Sequence, residues 1–368
     1  MYFIKSLLTL VLFCALAFTD SVFAQDYYVY VAAESDDQVQ LIHFNAETGE
    51  AAVSETIDVG VWPQENEGPH GLTISSDGKY WFVTIAHGTP YGQLWKYETG
   101  TNKFIAKVEL GMFPASMDYN PLTGLVYVVN FNLHGDMKPS TLSVVDSETM
   151  MRLADIPVGI MPHGTRISPE GDVAYHVSMM TDELYEIDAY QLEVKRTLSL
   201  GQDSPQMDHF QKEAMDHSNM NHSPVEKPTW ADPHPSKPFV YIAGNGSNEI
   251  IEVDTKKWEI TRRFNTAKGP YNLEVSHNGK LLVVSYKGEG AVGIWDLEKG
   301  EELAYIENSR KVTHGVAITP DNKFAFISVE GIGGEPGSVD IIDLKKLERV
   351  DVVETGKQAG GIVFWKQK

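Results

Sequence analysis

The 368-residue chain has a single cysteine, Cys14, and it lies in the opening segment. Residues 1–24 read MYFIKSLLTLVLFCALAFTDSVFA: one Lys, an apolar run, then Ala24 two residues after Val22. That is the pattern of a secretory signal peptide cleaved before Gln25. The apolar run is short for a bilayer-spanning helix, and Phe13 before Cys14 does not suit a lipoprotein cleavage site. The expected mature chain, 25–368, therefore has no cysteine. This excludes disulfides, Cys-ligated zinc, iron–sulfur clusters, thiol nucleophiles and c-type haem attachment. Positive charge is scarce as well. There are 30 Lys and Arg against 51 Asp and Glu, a net charge of −21. Such a surface repels nucleic acid and anionic membrane, and it attracts cations or a basic partner. No second apolar run approaches spanning length, so the expected product is secreted, in the periplasm, and free of the membrane. A Ser–His–Asp order, a phosphate loop and a nucleotide fingerprint are also missing. GIGGEPG from Gly331 reads as a loop, since it lacks the strand-to-helix context of a dinucleotide motif.

A repeat is what the sequence does contain. A short alternating strand, a turn rich in Asp, Asn, Pro and Gly, and a second apolar strand recur. Examples are GLTISSDGKYWFVTIA from Gly71, SMDYNPLTGLVYVVN from Ser116 and GTRISPEGDVAYHVS from Gly164. Others are WADPHPSKPFVYIAG from Trp230, LEVSHNGKLLVVSY from Leu273 and GVAITPDNKFAFISV from Gly315. The turns begin at Ser75, Asn120, Ser168, Asp232, Ser276 and Thr319, so the steps are 45, 48, 64, 44 and 43 residues. A period in the mid-forties with four short strands per unit is the signature of a β-propeller. Residues 27–60 supply three strands without a first, and residues 358–367 supply a first strand alone. Together they complete a seventh blade that closes the ring with N- and C-terminal strands and removes free sheet edges. The predicted fold is all-β: one seven-bladed propeller over residues 25–368. Asp77, Gly78, Glu170, Gly171, Asn278 and Gly279 read as turn chemistry rather than calcium ligands.

Units such as PHGLTISSDGKYWFVTIA and PHGTRISPEGDVAYHVS resemble the YVTN-type β-propeller repeat family of secreted and surface proteins. The resemblance covers nearly all of residues 27–367. It implies the fold and leaves the function open, because propellers host many roles.

The 64-residue step exceeds its neighbours by about twenty, which marks an insertion at residues 203–227. It includes MDHFQKEAMDHSNMNHS, with three Met-x-His pairs: Met207 and His209, Met215 and His217, Met220 and His222. Thioether sulfur is soft and selects Cu(I), and imidazole suits copper and zinc. Copper is thus the favoured metal and zinc the lesser one. MDHSNMNH also resembles the Met/His-rich segments of periplasmic copper-resistance proteins. The competing reading is a passive polar loop that acquired Met and His by drift. The insertion falls between a last and a first strand, which puts it on the propeller face where first strands begin. His70, His163 and His314, in GPHGL, MPHGT and VTHGV, begin first strands and are expected to ring the channel mouth. Two readings stand for this ring. The imidazoles cap and pack the mouth, or they form a three-imidazole metal site with an open position. Wide spacing around the axis then calls for a two-ion cluster, or for a site assisted by His87, at the end of a second strand, or by His176. Taken alone, His176 reads as a packed strand residue.

Three function classes follow. The first is a non-enzymatic propeller that captures copper and holds it or delivers it to a partner protein. The second is a metal-dependent enzyme, resembling either the copper-cluster propeller of nitrous oxide reductase or a propeller lactonase. The absence of cysteine leaves no electron-entry copper site for the former. The third is a protein-interaction scaffold without metal.

Overall fold

The computed structural model describes residues 25–61, 65–87, 92–201 and 223–368. The expected signal peptide lies outside these residues, and so do Met207, His209, Met215, His217, Met220 and His222. The described residues form seven four-stranded antiparallel sheets. The innermost strands are Pro69–Ile74, Pro114–Tyr119, Pro162–Ile167, Pro228–Pro233, Pro270–Val275, Thr313–Ile318 and Ala359–Gln367. They surround the axis of a seven-bladed β-propeller, as the repeat predicts. We number the blade that holds both chain ends as blade 1 and the others 2–7 in chain order. In blade 1 the strand Asp26–Ala33 pairs with Ala359–Gln367, matching Tyr30 with Val363. No helix among the described residues is long and apolar enough to cross a membrane.

Burial explains the strand pattern. The middle strands are sandwiched between neighbouring blades and read as continuous apolar runs, such as LVYVVN at 125–130, all buried. The outer strands face solvent on one side and alternate, as FIAKVE at 104–109 does. The turns use the chemistry their residues offer. The Asp77 carboxylate accepts from the Ser75 hydroxyl at 2.8 Å, and Gly78 takes the left-handed backbone, φ +68°.

The blades meet through one repeated device. The residue just before every first strand has positive φ: Gly68, Phe113, Met161, Lys227, Gly269, Val312 and Gln358. That bend swings each first strand against the next blade. The third residue of the strand then lies almost on a carbonyl of its neighbour. A Cβ on Gly71 would stand 2.0 Å from the Ala115 carbonyl oxygen, and one on Gly361 would stand 2.1 Å from that of His70. The glycine of the PHG phrase is therefore a blade-contact residue. Hydroxyls close the gap. Thr84 accepts from Gly71 N–H at 2.7 Å and donates to the Ala115 carbonyl at 3.0 Å. Ser285 does the same between Asn272 N–H and the His314 carbonyl, at 2.9 and 2.8 Å. Ser328 repeats it between Gly315 and Gly360.

Gly361→Ala should destabilise the chain by about 2 kcal/mol, since its Cβ would meet unyielding backbone. Gly334→Ala, with nothing within 4 Å of its Cβ, should stay within about 0.5 kcal/mol of the parent. Denaturant unfolding of both variants checks the pair.

Candidate functional site at the channel mouth

The second residue of each first strand points toward the axis, and the residue just after each second strand leans over it. The two positions together build the mouth. The first supplies His70, His163, Tyr271 and His314 from blades 2, 4, 6 and 7. The second supplies Glu34, Lys287 and Glu330, with His87 one residue further on in blade 2.

These side chains form two linked groups. In the first, His87 Nε2 donates to Glu34 Oε1 at 3.0 Å, and His70 Nε2 lies 3.8 Å from Glu34 Oε2. Glu34 is buried. Burial opposes its charge, but His70 and His87 outweigh that and hold its carboxyl below the usual range. A Cβ on Gly68 would strike the His87 ring, so this glycine, φ +61°, makes room for the contact. His134 stands beside His87, with ring centroids 5.6 Å apart.

In the second group Lys287 Nζ pairs with Glu330 Oε1 at 2.9 Å and lies 4.2 Å from the Tyr271 ring centroid. Burial would lower the Lys287 pKa, but Tyr271 and Glu330 together raise it, so the ammonium stays charged. His163 Nδ1 is 2.7 Å from the Thr229 carbonyl, which can only accept, so Nδ1 carries the proton. Burial pushes the His163 pKa down to about 3, leaving the ring neutral. Its Nε2 is then an acceptor, and the Tyr271 hydroxyl donates to it at 2.8 Å. His314 Nε2 lies 3.7 Å from Glu330 Oε1. Burial and the Lys287 charge hold His314 well below its usual pKa, and burial lowers that of His70. His70 and His314 meet edge to face with centroids 5.7 Å apart.

The expected ring of three imidazoles thus divides. His70 and His314 are neighbours at the mouth. Both nitrogens of His163 are taken by Thr229 and Tyr271, so it is a packed, hydrogen-bonded residue. Among the described residues, no group of three or more His, Cys, Asp or Glu is arranged to hold a metal ion. Two of the imidazoles have protein partners instead: His87 has Glu34, and His163 has Thr229 and Tyr271. His87 does join the mouth, through Glu34. His176 is fully buried in its strand, with its ring 5.8 Å from that of Tyr185. The sequence reading missed Glu34, Tyr271, Lys287 and Glu330. The repeat phase was the available signal, because Glu34, Lys287 and Glu330 share one position after the second strand.

Deeper in the channel a second ring lies at the fifth residue of four first strands: Asp118, Arg166, Asp232 and Glu274. Each carboxylate accepts a backbone N–H from the next blade: Ile167 at 2.8 Å, Val275 at 2.7 Å and Ile318 at 3.2 Å. Arg166 Nε lies 3.7 Å from Asp232, and its guanidinium stacks over Trp230 at 4.7 Å. One cation among three acids cannot keep all of them ionised in a desolvated channel. Burial, partly offset by Arg166, raises Asp232 to about 7. Burial and the nearby Asp232 raise Glu274 to about 8.

No protein-family model matches this chain. No curated protein matches it either. Solved structures do resemble it in fold. A functionally unknown protein from Desulfotomaculum acetoxidans aligns with a TM-score of 0.68 and 16% identity, over 92% of this chain and 98% of that one. Kuenenia stuttgartiensis hydrazine synthase aligns with a TM-score of 0.59 and 19% identity, over 78% of this chain and 81% of that one. At these identities the likeness is one of architecture, and no activity passes with it.

The lower ring predicts a pH dependence. A carboxyl whose folded pKa is raised binds its proton more tightly in the native state. Its contribution to stability is present at low pH and is lost as pH rises from about 4 to about 8. Asp232→Asn combined with Glu274→Gln should therefore stabilise the protein by about 1–3 kcal/mol at pH 9. The same variant should gain nothing below pH 4. Thermal melts at the two pH values check the sign.

Proposed function

We propose that this chain is an extracytoplasmic copper-binding propeller. It captures the metal with the Met/His segment and holds it above the channel mouth, for storage, tolerance or transfer to a protein partner. The observation that carries this reading is the set of three Met-x-His pairs in a chain whose only cysteine is in the expected signal peptide. Neutral thioethers and imidazoles suit Cu(I) in an oxidising compartment, where thiols would be lost to oxidation.

The attachment of the segment supports it. The chain returns at Val225 and Lys227, whose N–H groups donate to the Asp182 carboxylate at 2.6 and 2.7 Å. Asp182 belongs to the loop after the second strand of blade 4, and Lys227 immediately precedes the first strand of blade 5. Both lie on the face that bears His70, His87 and His314. The net charge of −21 favours cations at that surface. An ion leaving the segment would first meet Glu34 with His70 and His87, two imidazoles and a carboxylate. These three side chains are engaged with one another and are not arranged to hold a metal ion, so the segment itself is the holding site. Lys287 makes the opposite side of the mouth unfavourable for a cation.

The test is an anaerobic Cu(I) titration against a competing chromogenic chelator, on the mature chain and on a variant lacking residues 203–226. The parent should bind several equivalents, and the deletion should lose most of them. Binding should weaken as pH falls below about 6.5, where free imidazole protonates and leaves the thioethers alone. Equal competition by both chains, or by neither, would remove the segment from any copper function.

A further inference from the structure

A small cavity of about 30 Å³ lies on the axis between the mouth and the lower ring. All seven first strands contribute to its wall, six through His70, Ser116, Arg166, Trp230, Asn272 and His314 and the seventh through Gly361 and Ile362. Three of these side chains bring a buried polar atom that has no hydrogen-bond partner in the protein: Trp230 Nε1, Asn272 Oδ1 and His314 Nδ1. All three residues are at least nine-tenths buried, with exposures of 6, 4 and 5%. The Gly360 carbonyl is near His314 but does not meet Nδ1 with hydrogen-bond geometry.

Unsatisfied buried polar atoms are costly, on the order of 1–3 kcal/mol each, and they are rare in folded proteins. Three from separate blades facing one small space make a polar lining, not a packing defect. Trp230 can only donate and Asn272 Oδ1 can only accept, while His314 Nδ1 can do either as its tautomer allows. A water molecule matches that set, and it needs two to four polar partners and about 10–15 Å³ of such space. The cavity is too small for anything beyond one or two waters. Below it the Arg166 guanidinium, stacked on Trp230 and facing Asp232, lies across the channel. Its charge opposes passage of a cation.

We propose that the axial cavity is a built hydration site. One or two long-lived waters join Trp230, Asn272 and His314, and Arg166 forms the floor. The waters link the imidazoles of the mouth to the lower ring in one hydrogen-bonded column, and the channel is a dead end for metal ions. An ion bound at the mouth therefore leaves by the face through which it entered. The site itself stands whether or not the chain binds copper.

Oxygen-17 water relaxation dispersion on the full mature chain counts long-lived internal waters. Trp230→Phe removes the donor, and Asn272→Leu replaces the acceptor with an apolar branch that intrudes on the cavity. Each should lower the dispersion amplitude by the equivalent of about one or two waters. Unchanged amplitude in both folded variants would overturn the proposal. If neither variant folds, crystals of the parent decide. Ordered density within hydrogen-bond reach of Trp230 Nε1 and Asn272 Oδ1 supports the site. Xenon entering that cavity under pressure marks it as dry and overturns it.

Discussion

Everything at the axis depends on how closely one blade's first strand approaches the carbonyls of the next. Seven left-handed residues ahead of these strands set the approach, and Gly71, Gly164, Gly315 and Gly361 make it sterically possible. The bridging hydroxyls of Thr84, Ser285 and Ser328 then satisfy backbone groups that the ladders within each sheet leave open. Val312 adopts this bend with φ +65° despite its branched Cβ. A β-branched residue in that region is strained, so the surrounding ring must hold it there. The same approach that packs the blades brings the second and fifth residues of the strands together into two rings.

Those rings differ in charge because they differ in surroundings. At the mouth, burial lowers the pKa values of His70, His163 and His314, while Glu34 is held below and Lys287 above the usual range by their neighbours. Deeper down, three acids share one arginine, and burial turns the excess charge into raised carboxyl pKa values. The mouth is thus a preorganised polar surface, with an imidazole–carboxylate side around Glu34 and a cationic side around Lys287. The three-sulfur, three-imidazole chemistry of the inserted segment is of another kind. It belongs to a polar stretch whose composition alone carries its meaning, and the described chain that follows it, Val225 and Lys227, is anchored at Asp182.

The blade count was legible because each repeat carries its own turn and its own pair of strands. A period of 43 to 48 residues, broken once by 64, is enough to number the blades and locate the insertion. His70, His87 and His314 could be assigned to the mouth from strand phase. Glu34, Tyr271, Lys287 and Glu330 were harder to single out: three of them share one repeat position, but each looks like an ordinary exposed or packed residue in its own blade. Their role comes from facing across the axis. Likewise the glycine in PHG reads locally as a flexible residue, and only the Ala115 and His70 carbonyls of adjacent blades reveal why a side chain is excluded there.

The sequence by itself determined the all-β class, the seven blades and their closure by the two chain ends, because strand period and turn chemistry are local properties. It also displayed the three Met-x-His pairs of the inserted segment, whose side-chain chemistry is the basis of the copper proposal. Only the tertiary structure decided that His163 is hydrogen-bonded rather than free, that Glu34 and Lys287 divide the mouth, and that the axis narrows to a water-sized space above Arg166. Those outcomes depend on distances between residues from different blades, and a side chain's burial and partners do not exist until the ring has closed.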